Sequence, residues 1–411
     1  MNVTRRLLDF VFLTLAWLAQ GSGLAFGPGH LPPGVETFSG GPIALDLVHD
    51  RIFLCDSANH RVLVYDISSG GLGSAPLAVI GQPDTRSTAL NGTGEVTPNN
   101  RGLAFPDGIA YDAGRDGVWV GDFLNNRVLF FDTRRLTNYP RAEYVIGQKG
   151  FRVADAGAGR HNLSGPSGVA LSADGKRLFV SDTLNHRVLV FEIELLSSGL
   201  AAFGVIGQRD FSAREPGTSA QSLSAPAGLA VDANDQLYVA DSENNRVLLF
   251  NTLPLRLRHP SSSTIVRDAD EALRLTNAAL QSRFTPEADR GELVSVSAYA
   301  VFGQPDFESA ESASGTGGLC CPTAIALDEV NQWMFVADAG NNRIVAYDGN
   351  AGDPMRARAI IGQPDPDACS PQPADKGLHD PVGLAIDIVE SKLWVSESGN
   401  QRLGVYRLND N

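Results

Sequence analysis

Six times along the chain an acid stands five residues ahead of an arginine, with an asparagine between them. The pairs are Asp56–Arg61, Asp122–Arg127, Asp182–Arg187, Asp241–Arg246, Asp338–Arg343 and Glu397–Arg402. A single such trio could supply a general base and a cation facing developing negative charge. Six copies point elsewhere. Chemistry needs one asymmetric constellation, whereas a residue type present in every repeat serves the repeat. The acid and Asn suit side-chain-to-backbone bonds that close a tight turn. The Arg suits pairing with a carboxylate at the same edge.

The remaining reactive side chains are sparse. Of seven histidines, His60 and His186 fill a repeat-turn position where other copies carry Asn or Gln. His49 lies in a turn between two apolar runs, and His30, His161, His259 and His379 fall in connecting segments. No metal site is assigned from them. Four cysteines, Cys55, Cys320, Cys321 and Cys369, contain no C-x-x-C pair, so neither a zinc knuckle nor a thioredoxin-like site is supported. One position does vary between repeats as a binding site requires. The residue after a recurring proline is Asp107, Ser167 or Thr323, with Ala227 and Val382 in the matching places. Asp107, Ser167 and Thr323 are the candidate ligand contacts.

The elements that must position these residues are legible as a repeat. Each acid-to-Arg segment follows a Pro-x-Gly-Leu-Ala-like run, as in Pro106–Asp112, Pro226–Asp232 and Pro381–Asp387. All but the last precede a Val-Ile-Gly-Gln-like run, as in Val79–Gln82, Val205–Gln208 and Ile360–Gln363. Each unit thus holds four short β-branched or aromatic runs, named a to d, with turn residues between them; these read as strands. Successive arginines are 66, 60, 59, 97 and 59 residues apart. Four strands recurring at that interval predict an all-β, six-bladed propeller around a central channel. Strand direction alternates, so the b–c turns and d-to-a connections share one face, the top, where the long loops lie. The a–b turns and c–d connections share the bottom.

The wording of these segments resembles the NHL repeat over residues 40–406, with Asn59-His60-Arg61 and Asn185-His186-Arg187 matching its first two letters. That family includes lyases, RNA-binding modules, sensor domains and protein-binding scaffolds, so the resemblance implies fold more than function. The family's amidating lyases use several channel histidines on zinc, and none of the seven here aligns with such a set. Lactonase-like propellers use channel-lining Glu, Asn and Asp around a divalent cation. The channel strands here are mostly Gly, Ala, Ile, Leu and Val, so no cofactor is assigned, although the channel leaves room for such a cation.

Two features depart from the repeat. The fourth unit carries an insertion over 254–293 with a predicted amphipathic helix over 268–284. The sixth unit ends after run c, so its strand d is expected from the N-terminal segment, at Leu24–Gly27 or alternatively Val35–Ser39. Residues 1–21 read as a signal peptide: Arg5 and Arg6 precede an apolar run of about ten residues, too short to span a bilayer, and small residues follow. Residues 22–411 are then a single exported propeller, secreted or periplasmic, without a transmembrane span. The net charge of -14 argues against nucleic acid as a partner. Export makes a disulfide plausible between Cys369 and Cys320 or Cys321. Asn91-Gly-Thr93 and Asn162-Leu-Ser164 match the N-glycosylation pattern. The leading expectation is a monomeric, non-enzymatic scaffold binding a protein, peptide or glycan through its top-face loops. The alternative is a metal-assisted lyase or lactone hydrolase in the channel.

Overall fold

The computed structural model describes residues 32–194, 196–255, 296–349 and 356–408. Five antiparallel sheets have four strands each in chain order, and a sixth has three. Blade 1 comprises Ile43–Asp46, Arg51–Asp56, Arg61–Asp66 and Ala78–Ile80 as strands a to d. Strands a of the other blades are Pro106–Asp112, Pro166–Leu171, Pro226–Val231, Pro322–Asp328 and Pro381–Asp387. These innermost strands neighbour one another around the axis. Strands b and c are apolar on both sides because both faces of each sheet are covered. Each of the six hydrophobic clusters accordingly lies between two consecutive blades, the last joining blade 6 to blade 1.

Glycine sets how closely the inner strands approach. A Cβ on Gly108 would lie 1.7 Å from the Ser167 carbonyl oxygen, and one on Gly168 would lie 2.0 Å from that of Ala227. The Pro-x-Gly opening of strand a is therefore a packing requirement between blades.

The N-terminal segment corrects one expectation. Val35–Ser39 is not a strand; it buries Phe38 against Trp394, Leu403 and Val405 of blade 6 and Ile43 of blade 1. Its bonds show why. Thr37 O accepts from Arg61 as Gly102 O accepts from Arg127, and Ser39 N–H donates to Asp56 as Ala104 N–H donates to Asp122. The segment thus occupies the end of a d-to-a connection. Leu24–Gly27, the signal-peptide region, most of the insertion and its expected helix, His30 and His259 lie outside the described residues. Among the described residues no helix is long and apolar enough to cross a membrane.

Candidate functional site

Each b–c turn is built alike. Strand b ends on the acid, a tight turn of three residues follows, and the next residue takes left-handed backbone before Arg opens strand c. His60, Asn126, His186, Asn245, Asn342 and Gln401 hold φ between 51° and 58°. In blades 1 to 5 the Arg Nε donates to the acid's Oδ2 at 2.6–2.7 Å, and Arg402 pairs with Glu397 in the same way. The Asn three residues after the acid donates to the same carboxylate. The other carboxylate oxygen accepts a backbone N–H from the loop entering strand a, as from Ala104, Ser164 and Ser224 at 2.6 Å.

The Arg Nη atoms reach two loops at once. Arg127 donates to Phe151 O and Gly102 O, and Arg343 to Pro366 O, Gly315 O and Gly318 O. All twelve acids and arginines are at most 2% exposed, so they offer a ligand nothing. Burial raises the carboxyls of Asp182, Asp338 and Glu397 and lifts Asp241 to about 6. The guanidinium, the Asn amide and the backbone N–H groups act against that shift by favouring the ionised form.

Two contributors to this scaffold are not evident from the sequence. The left-handed residue accepts from the next blade: His60 Nδ1 from Phe105 N–H, Asn126 Oδ1 from Gly165 N–H, His186 Nδ1 from Ala225 N–H, and Asn342 Oδ1 from Asp380 N–H. An acceptor is required there, which explains the exchange of His for Asn. The Gln of each Ile-Gly-Gln run donates to two carbonyls of the top face, as Gln148 does to Asn126 O and Asp155 O. Both residues recur in the sequence at fixed repeat offsets, but the sequence does not show which groups they bond.

The variable position after the proline lies where strand a shifts register against strand b. Such an irregularity re-aims a side chain. Ser167 Oγ bonds Thr183 Oγ1 and donates to Pro226 O, and Thr323 Oγ1 donates to Pro381 O. Both hydroxyls are therefore spent on holding the next blade. Asp107 differs: it is half-buried, and among the described residues its carboxyl has no hydrogen-bond or ion-pair partner. Burial pushes it up to about 7. Its charge in turn helps raise the buried Cys55 thiol, which desolvation lifts well above the usual range.

The top face of blades 2 and 3 carries apolar side chains at its turns. Phe105 and Phe123 meet edge to face at 6.1 Å, and the turn residues Leu124 and Leu184 are exposed. Blades 1, 4, 5 and 6 carry Ala58, Glu243, Gly340 and Gly399 at the Leu124 position.

The bottom face holds an acid cluster that reads as a clamp. Ligand atoms of Asp46, His49 and Asp116 lie within 4.8 Å of one another. Arg51 already sits among them, with Nε donating to Asp46 at 2.6 Å and Nη2 to Asp116 at 2.8 Å. Its Nη1 donates to Thr133 O of blade 2. Arg177 makes the corresponding reach from blade 3 to Asp235 and Thr252 O of blade 4. The cluster thus carries its own cation and ties two blades.

Cys320 and Cys321 bring their sulfurs 3.8 Å apart, Cys369 lies on the neighbouring loop, and no bond joins these thiols in the structure. Desolvation, reinforced by Cys321, pushes Cys320 up to about 11. Asn91 is fully buried and its side chain bonds Glu95 O and Asn125, so this sequon is closed to glycosylation.

The family model described as NHL repeat matches residues 163–191 and 223–250, which are strands a to c of blades 3 and 4. NHL repeat-containing protein 2 of Bos taurus is 21% identical over 268 residues, covering 65% of this chain and 34% of the relative. The chain belongs to the NHL-repeat propeller family. Lactonase drp35 of Staphylococcus haemolyticus is 31% identical over 118 residues, covering 28% of this chain and 32% of the relative. A solved structure described as that of streptogramin B lyase superposes with a TM-score of 0.48 at 12% identity, covering 92% of this chain and 96% of that one. The matches span about a third of the two curated relatives' own lengths.

Proposed function

We propose that this NHL propeller is an exported binding module that receives a protein, peptide or glycan ligand at the top of its channel, with Asp107 as the polar anchor. The observation that carries this reading is the unpartnered carboxyl of Asp107. Asp107 is half-buried, and a carboxyl partly withdrawn from water with no donor in the fold is open to one from a ligand. Every other acid in the repeat turns is saturated. The two hydroxyls at matching positions are committed to neighbouring blades. Of these three positions only Asp107 is open to a donor brought by a ligand, and Phe105, Phe123 and the exposed Leu124 and Leu184 give the same face of blades 2 and 3 apolar surface. A few placed polar groups among apolar walls is the usual composition of a ligand site.

The test is to screen the purified protein on peptide and glycan arrays and repeat the hits with Asp107→Ala and Leu184→Ala. Loss of the hits in both variants at unchanged melting temperature supports the reading. Hits that survive Asp107→Ala overturn it.

A second reading, a lactone hydrolase or lyase assisted by a divalent cation, is favoured by the 31% identity to a lactonase over 118 residues. One carboxyl alone does not make a calcium site, which takes 6–8 oxygen ligands. Metal analysis of the exported protein, with lactone hydrolysis assayed at each metal content, separates the two readings.

A further inference from the structure

The a–b turns on the bottom face divide the ring in half. In blades 2, 3 and 4 their tips are Ala113-Gly114, Ala173-Asp174-Gly175 and Ala233-Asn234, ordinary turn residues. In the consecutive blades 5, 6 and 1 they carry Val330, Ile388, Val389 and Val48, which are 73%, 51%, 74% and 71% exposed. A tight turn has no use for β-branched aliphatic side chains, and exposing four of them on adjoining blades is unfavourable without an occupant.

Between blades 6 and 1 the same region opens into a cavity of about 270 Å³. It is lined by Val389, Leu47, Ile67 and three acids, Asp50, Asp387 and Glu390. Asp50 and Glu390 stand exposed at its edge, and Glu329 flanks Val330. Lys392, buried beside the cavity, donates to Gly70 O of the lining and stands 3.6 Å from Glu390.

We propose that this half-ring is a docking surface for a protein partner that presents a cationic amphipathic segment. Its apolar face would cover Val48, Val330, Ile388 and Val389, and a Lys or Arg would enter the acid-lined cavity between blades 6 and 1. Charge complementarity selects this occupant. A second copy of the chain, or an anionic lipid surface, would bring like charge against Asp50, Glu329 and Glu390. The surface lies on the face opposite Asp107, so the two sites are independent.

The experiment measures binding of a labelled amphipathic Leu/Lys helical peptide to the full chain by fluorescence anisotropy. It compares wild type with the double variant Val48→Asp, Val389→Asp and with Glu390→Lys. All three residues are exposed, so melting temperatures should be unchanged. The double variant adds negative charge, which strengthens any non-specific attraction to the peptide, yet binding should fall at least tenfold because the apolar contact is lost. Glu390→Lys should weaken it severalfold, and a Leu/Glu peptide should not bind. Equal affinity in all three proteins overturns the proposal, as does equal binding of the Leu/Glu peptide. So does a Val389-dependent dimer in sedimentation without peptide, or Val389-dependent association with phosphatidylglycerol vesicles.

Discussion

At the scale of single residues, the repeated acid and Arg act as staples, and their removal is expected to be felt in stability alone. Arg187→Ala strands the buried Asp182 carboxylate and releases Phe211 O, Gly159 O and Asn162 O. Breaking a buried pair in this way costs about 3–5 kcal/mol, read from the midpoint of urea unfolding. A loss below about 0.5 kcal/mol, the range of ordinary surface substitutions, would contradict the role assigned here. His60 adds a dependence on pH. Its neutral ring accepts from Phe105, and burial lowers its pKa below the usual value of about 6.5. The unfolded chain therefore takes up this proton at a higher pH than the folded chain does. The stability His60 contributes is complete above pH 6.5 and is lost as pH falls through the lower, folded value. His60→Asn, which copies the residue at 126, should match wild type at pH 8 and exceed it at pH 5 in thermal unfolding. Identical pH profiles for the two proteins would remove His60 from this account.

At the scale of elements, the strands and turns were legible because every blade repeats the same packing problem, so Pro-x-Gly, Asp-x-x-Asn-x-Arg and Ile-Gly-Gln recur at fixed offsets. What was not legible lies between blades. The occupation of Ser167 and Thr323 depends on carbonyls 59 and 58 residues further along the chain. The Arg51 clamp depends on Asp116 and Thr133, 65 and 82 residues away. Its only trace was a basic residue opening strand b at Arg51, Arg177 and Lys392, a position that edge solvation explains as easily. Val35–Ser39 reads as a candidate strand from the sequence, whereas its bonds to Arg61 and Asp56 make it a connection. It still joins the two ends of the ring. Phe38 is 2% exposed between blades 6 and 1. Phe38→Ala is therefore expected to cost about 3–5 kcal/mol, measured by chemical denaturation. A negligible change would mean that this junction does not contribute to closure.

At the scale of the whole molecule, the propeller sets one half-buried, unpaired carboxyl against a ring of six buried, saturated ones. The staples are six-fold and buried; Asp107 is single and available. Retaining an unpaired carboxyl is a cost to folding that binding can offset, the usual trade between stability and function. That cost has a definite pH dependence. In the unfolded chain an aspartate titrates near 3.9, while in the fold Asp107 titrates at about 7. Below pH 4 both states carry the proton and there is no penalty. From pH 4 to 7 the unfolded chain has released its proton and the folded chain has not, so stability falls as pH rises and stays lowered above 7. Asp107→Asn removes the titration while keeping the shape. The most direct measurement is the unfolding free energy of wild type and Asp107→Asn at pH 4 and pH 8. The variant should be nearly equal at pH 4 and more stable at pH 8, by on the order of 2–4 kcal/mol. A variant that is less stable than wild type at pH 8 would show that Asp107 is a structural member of the blade, and the central claim would fail.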